Sequence, residues 1–410
     1  MYYTFKDMLI YSQESLALDL VDCPEDRSWK RIFYASPLPL SAKSQIHFSM
    51  DALSFKEGLE DLRLPLKPSV LDCDSPWLKQ QIQLGNVTLI NSKAPAFLDN
   101  LENQFPKKWR IHVIALGDVG ATLTMGLRLM GGEDIDYIGI YDFDSNKVNR
   151  VLLECNQIYT SFTNHSFPEV KAILQEDLFD CDMFVFCASK FIPPIDVIDK
   201  DVRMLQFEAN SAIISQYAKL AREQHFKGFF AVVSDPVDLL CKVVYLESNK
   251  NELGQLDFLG LPPERIKGYG LGVMNARAKY YADLLYPDLD YANEGRAFGP
   301  HGKGLVIANS LSHYDADISQ VLTEKTKDAN LEVRKTGYKP YIAPALSSGA
   351  LSILATIRGD WHYSTVYFGG VFLGIKNKIG LTGLQWEQYD FNADLYTRLQ
   401  STYDYLGDII

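Results

Sequence analysis

The chain has no C-x-x-C pair. Its six cysteines (Cys23, Cys73, Cys155, Cys181, Cys187 and Cys241) lie scattered over 410 residues. That spacing argues against the common structural zinc patterns and against a disulfide framework, and fits reduced thiols in an intracellular protein. Histidine is scarce, and His112, His165, His225, His313 and His362 show no ligand spacing, so metal chemistry is not expected. His47 reads as a strand-surface residue. No basic stretch stands out, and a net charge of −12 argues against binding a nucleic-acid backbone. No apolar run approaches membrane-spanning length and no basic-then-apolar leader opens the chain, so a cytoplasmic protein with no membrane partner is expected. Internal repeats are absent too. What remains is 47% hydrophobic and 22% charged residues, a composition that can bury a large core. The length implies two or three domains.

One stretch carries a specific signal. An apolar run, Ile111 to Leu116, reads as a buried parallel strand and ends in Ala115-x-Gly117-x-x-Gly120. Residues 121–130 continue with helical apolar spacing. A second strand, Tyr137 to Tyr141, then stops at Asp142. Strand, glycine turn, helix, strand and terminal acid form the dinucleotide-binding βαβ unit. Gly117 lets the backbone approach a pyrophosphate, with Asp118 and Val119 inside the turn, and Gly120 lets helix and strand pack closely. The helix start attracts the phosphates. Asp142 would accept hydrogen bonds from a ribose diol and repel a 2′-phosphate, which favours NAD over NADP. Ala115 replaces the first glycine of the usual pattern. The alternative reading of the turn is a tight bend with no ligand.

The unit begins near residue 109. Residues 1–108 alternate short apolar runs (from Arg31, Ile46 and Val87) with helix-like stretches and read as a small α+β domain without evident chemistry. From 109 to 254, strand and helix signals alternate: a third strand over 182–189 ending at Ala188 and Ser189, a helix over 203–222, a strand over 228–235 and a helix from Val237. This rhythm predicts a Rossmann-type, doubly wound parallel sheet, an α/β fold. Ligands would sit beyond the carboxyl ends of the strands, near Gly117, Ser189 and Asp235. Residues 255–410 read as a mixed α+β catalytic lobe.

Several segments, in order over residues 109–405, resemble the lactate/malate dehydrogenase family of NAD-dependent L-2-hydroxy acid dehydrogenases. They are the nucleotide unit, Val232 to Leu240 with Ser-Asp-Pro-Val-Asp at its centre, Arg265 to Arg277, Phe298-Gly-Pro-His-Gly302, and Gly370 to Ile375 with Ile379 to Leu384, which look like the family's late strand pair. The resemblance implies a role for each matching residue. His301 would exchange a proton with the substrate oxygen, a task suited to a side chain that titrates near neutrality; the alternative is a loop histidine that packs passively. Arg277 would clamp the substrate carboxylate in two parallel hydrogen bonds, or else serve a surface salt bridge. Arg203 would polarise the carbonyl from a lid over 189–202, or be an ordinary arginine at a helix start. Asn210 matches a family asparagine on the cofactor side. Lys339 falls in the segment lining the substrate pocket, where it could receive a second anionic group or point to solvent. A homo-oligomer and a small 2-oxo or 2-hydroxy acid substrate are implied in the same way.

Two departures matter. The family's aspartate three residues before the clamp arginine is Met274 here, and methionine can neither orient the histidine nor stabilise its charged form. The asparagine beside the proline turn is Asp235, which offers a speculative replacement for the missing carboxylate. Two functions therefore stay open: an NAD-dependent dehydrogenase interconverting a 2-oxo acid and an L-2-hydroxy acid, or a non-catalytic NAD(H)-binding sensor or assembly protein.

Overall fold

The computed structural model describes residues 1–48, 60–63, 65–66, 75–95, 97–102, 105–161, 166–190 and 200–410, with backbone alone for 200–204. Residues 1–102 form β1 (Tyr2–Phe5), β2 (Met8–Ser12), β3 (Asp19–Leu20), β4 (Arg31–Ser36), β5 (Gln45–His47), α1 (Pro76–Gln83), β6 (Val87–Asn91) and α2 (Phe97–Glu102). β2 and β6 are buried along their whole length, as aromatic and β-branched residues favour. Ser75 caps α1 by accepting the Leu78 N–H at 3.2 Å, with Pro76 in the first turn where its missing N–H costs nothing.

The nucleotide-binding pattern becomes β7 (Trp109–Ile114), α3 (Asp118–Met130), β8 (Ile135–Tyr141), α4 (Ser145–Asn156), β9 (Glu169–Ala172), β10 (Met183–Phe186), α5 (Lys200–Glu223), β11 (Phe229–Val232), α6 (Val237–Ser248) and β12 (Ile266–Gly268). These six strands form one parallel sheet in the order β12-β11-β10-β7-β8-β9. Phe184 pairs with Phe230 and Met183 with Ile111, in strands without an alternating polar face because helices cover both sides. The strand order reverses between β7 and β10, which opens a crevice beyond their carboxyl ends. The doubly wound α/β sheet expected from the strand–helix rhythm is present. Its last strand, β12, lies beyond residue 254, so the sheet runs further along the chain than the expected domain boundary.

The remaining chain forms α7 (Leu271–Leu285), the ribbon β13 (Arg296–Phe298) and β14 (Val306–Ala308), α8 (Ala316–Lys335), a π-helical run Pro344–Ala350 that continues into α9 (Leu351–Arg358), then β15 (His362–Phe368), β16 (Val371–Gly380), β17 (Gly383–Trp386) and α10 (Ala393–Gly407). The late strand pair expected at 370–375 and 379–384 falls on one antiparallel hairpin, with 371–375 in β16 and 379–384 spanning the end of β16, the turn and the start of β17.

Residues 1–108 do not build a sheet of their own. Their strands continue the late antiparallel sheet in the order β15-β16-β17-β5-β6-β4-β2-β1-β3, joined where Leu384 of β17 pairs in parallel with Ile46 of β5. Side chains tie the same halves together. The buried Glu264 carboxylate accepts the Ser44 and Gln45 N–H groups at 3.1 Å, and Tyr245 donates to the Ser41 carbonyl at 2.9 Å. The N-terminal part is therefore a structural extension of the last lobe. No described helix is long and apolar enough to cross a membrane.

Ala115, in place of the usual glycine, sits at φ +66°, in the left-handed region that disfavours a Cβ. Ala115→Gly should therefore stabilise the fold by about 1 kcal/mol, read from urea denaturation midpoints. A loss of stability would mean that the alanine methyl packs better than its backbone conformation costs.

Candidate active site

The glycine turn is shaped for a close approach. A Cβ added to Gly117 would meet none of the described residues within 4 Å, so among them the turn is open towards the crevice. A Cβ on Gly120 would lie 2.2 Å from the Ala115 carbonyl oxygen, so only glycine lets α3 leave β7 at this angle. Gly117 is the N-cap of the 13-residue α3, whose first N–H groups face the opening beside Asp118 and Val119. Asp142 ends β8 with one carboxylate oxygen accepting the Leu116 N–H at 2.7 Å and the other the Asp144 N–H at 2.9 Å. Each oxygen keeps a second lone pair, so a ribose hydroxyl can still be received. An open turn at a helix start with an acid fixed at the next strand end fits a dinucleotide.

Asn210, on α5, is fully buried. Its amide nitrogen donates to the Asp235 carbonyl at 2.7 Å and lies 3.4 Å from Ser189 Oγ, while its oxygen accepts the Lys190 N–H at 3.0 Å. The protein thus takes up both ends of the amide. Asn210 braces the loops after β10 and β11 and sets the crevice wall that includes Ala188 and Ser189.

Opposite that wall, Asp235 Oδ1 lies 3.2 Å from His301 Nδ1. The other ring nitrogen, Nε2, is buried and has no hydrogen-bond partner among the described residues. The His301 loop follows β13 and is built on glycines: Gly299 adopts φ +87°, and a Cβ there would lie 2.7 Å from the Gly304 oxygen. Gly270 gives the ring its place, because a Cβ on it would lie 3.0 Å from His301 Cβ and 3.1 Å from Val237.

Asp238, to which the sequence reading gave no role, supports this corner from below. It is buried in the first turn of α6, where the Thr365 hydroxyl donates to its carboxyl at 3.1 Å. Burial pushes that carboxyl up to about 7, with the Asp235 charge adding to the rise. The Thr365 hydroxyl and the His301 backbone N–H pull the other way. A sequence signal existed, since Asp238 stands two residues after Pro236 in the turn that carries Asp235.

Arg277 projects from α7, half-buried. Burial lowers its pKa, and the nearby Asp235 carboxylate opposes that shift. Among the described residues its guanidinium makes no hydrogen bond or ion pair. Met274, one turn earlier, is 2% exposed and packs in an apolar cluster with Leu271, Val273, Ala278 and Leu322. The carboxylate expected there has an apolar replacement, and the one that reaches the histidine is Asp235.

Lys339 lies elsewhere than expected. Its ammonium pairs with Asp118 at 3.0 Å on an exposed part of the glycine turn, so it bridges the α8–α9 connection to α3. Arg203 falls on the first turn of α5, where side chains are outside the described residues, as are residues 191–199 of the expected lid.

No family model matches the chain. It is similar to an L-lactate dehydrogenase of Staphylococcus epidermidis, 23% identical over 338 residues, covering 74% of this chain and all of that protein. An L-lactate dehydrogenase 2 of Staphylococcus aureus is 25% identical over 299 residues, 67% of this chain and 86% of its own. Among solved structures, a ligand-bound minor L-lactate dehydrogenase from Enterococcus mundtii superposes with a TM-score of 0.61 at 18% identity, covering 74% of this chain and 98% of that one. A malate dehydrogenase from Archaeoglobus fulgidus in complex with NADH gives 0.58 at 18% identity, covering 73% and 97%.

Asp238 gives the site a measurable pH signature. With a folded pKa of about 7 against an ordinary 3.8, its carboxyl binds a proton more tightly folded than unfolded. Its favourable contribution is complete below about pH 4 and is lost as pH rises through about 7. Asp238→Asn should flatten the stability-versus-pH curve in that window, by at most about 1.4 kcal/mol per pH unit. Denaturation midpoints from pH 4 to 8 test this; parallel curves for the two proteins would refute it.

Proposed function

From a chain related in sequence and fold to the lactate/malate dehydrogenase family, we propose an NAD-dependent oxidoreductase that interconverts a 2-oxo acid and its L-2-hydroxy acid. The observation that carries this reading is His301, with Nδ1 facing Asp235 at 3.2 Å and Nε2 buried without a partner among the described residues. A buried ring nitrogen costs free energy until something bonds to it, and a substrate oxygen is the group this chemistry requires. The bound dinucleotide would supply the hydride acceptor or donor, held by the open turn at Gly117 and by Asp142.

The protein's own steps follow from the geometry. Arg277 receives the substrate carboxylate in a planar fork, which fixes the face of carbon 2 that meets the cofactor. In oxidation, His301 Nε2 takes the hydroxyl proton, and the Asp235 carboxylate beside Nδ1 steadies the imidazolium that results. In reduction the same nitrogen returns the proton to the carbonyl oxygen. Arg203 belongs to this reading as the carbonyl-polarising residue, by position on α5 alone. Lys339 is engaged by Asp118, so it is not held ready for a second acidic group, and both mono- and dicarboxylic 2-oxo acids remain candidate substrates.

The competing reading is a non-catalytic NAD(H)-binding sensor, favoured by the apolar burial of Met274 where the family has a carboxylate. Asp235 answers that objection if it has taken over the role, and mutagenesis separates the two readings.

His301→Gln and Asp235→Asn should each lower kcat by about 10²–10⁴ with NADH binding intact, followed as NADH absorbance against 2-oxo mono- and dicarboxylic acids. Turnover of no acid by the unaltered protein, while NADH still binds, would establish the sensor instead. Met274→Asp should give no rate gain and should destabilise the fold by several kcal/mol, since it buries a carboxylate among apolar side chains. A large rate gain would show that Asp235 does not do the work assigned to it.

A further inference from the structure

A large cavity lies away from the crevice. It encloses about 790 Å³ between the N-terminal strands and the amino-terminal edge of the parallel sheet. Phe105 precedes β7, Phe229 opens β11 and Arg265 precedes β12, whereas Gly117, Asp142 and Asp235 stand at the opposite, carboxyl ends of those strands. Among the described residues its lining is cationic in a chain of net charge −12: Arg27, Lys30, Arg31, Arg222, Lys227 and Arg265 face one carboxylate, Glu264.

That carboxylate makes no ion pair with them among the described residues, although its charge acts on Arg265. Its oxygens accept from Ser44 and Gln45, which turns the carboxylate towards β5. Arg222 is satisfied by Asp257 in a two-pronged pair at 2.8 and 2.6 Å. Arg265 differs. Its guanidinium lies 4.7 Å from the Phe229 ring centre and 5.7 Å from that of Phe105, and among the described residues it makes no hydrogen bond or ion pair. It is close enough to Arg31 that the two charges oppose each other; burial and the Arg265 charge together lower Arg31 to about 10. Arg31 donates to the Leu101 and Leu381 carbonyls at 3.0 and 3.2 Å, which holds its guanidinium at the cavity wall, and a bound anion would relieve the repulsion between the two cations. The rest of the wall is flat and apolar, with Trp77, Phe105, Phe258 and Leu384.

We propose that this cavity binds a small organic anion, with a carboxylate or phosphate on Arg265 and Arg31 and an apolar body along the aromatic wall. The site is separate from the dehydrogenase crevice, so it stands or falls independently of the activity proposed above.

Calorimetric titration of the full chain with 1-naphthyl phosphate and with 1-naphthoate, in saturating NAD, tests this. At least one probe should bind at a single site, and the tighter of the two identifies the anionic group. Arg265→Met should weaken binding at least tenfold. Asn86→Asp, which adds a negative charge on an exposed lining residue and leaves the core alone, should weaken it two- to tenfold, and it decides the matter if Arg265→Met does not fold. Failure of both probes to bind, displacement of the probe by NAD, or unchanged affinity in both variants would overturn the proposal.

Discussion

The 3.2 Å approach of His301 to Asp235 depends on two parts of the fold meeting in one place. Asp235 comes from the end of a parallel strand, and His301 from a glycine-built loop after the ribbon of the last lobe. Neither is fixed by its own segment. Asn210 holds the Asp235 carbonyl from one side, Gly270 leaves room for the histidine on the other, and Asp238 sits buried beneath both. A small rigid-body shift of the last lobe would separate the pair. The sheet, the brace and the glycine clearances act together to keep that distance short enough for a proton-handling contact.

The parts of this arrangement that were legible in the sequence are those encoded locally. The apolar run from Ile111, the Gly117 and Gly120 turn and Asp142 occur within one short stretch, and their periodicity and terminal residues determine the βαβ unit almost alone. His301, Arg277 and Asp235 were legible as candidates because each lies in a short segment with family-like neighbours. Their mutual distance was not, since it depends on how distant segments pack. Asp238 went unassigned because its role is to be buried beneath a residue more than sixty positions away. Lys339 was misplaced because alignment gives position along the chain and not direction; an acid on the neighbouring helix start draws it to the surface.

The N-terminal region was hardest to read. Its short strands are ordinary, and nothing local says which sheet they enter. Their place follows from one parallel pairing, Leu384 with Ile46, and from Glu264 reaching the Ser44 and Gln45 backbone. Long-range pairings of this kind have no periodic trace, which is why an independent small domain was the natural reading of residues 1–108.

That pairing has a consequence for the chain's integrity. With β5 laid along it, β17 is an interior strand whose backbone groups are partly engaged on both sides. Were the first hundred residues absent, β17 would become a bare margin bearing Leu384 and Trp386, open to a similar strand from another molecule. The leading segment thus shields the last lobe from self-association, a protective duty that needs no chemistry of its own.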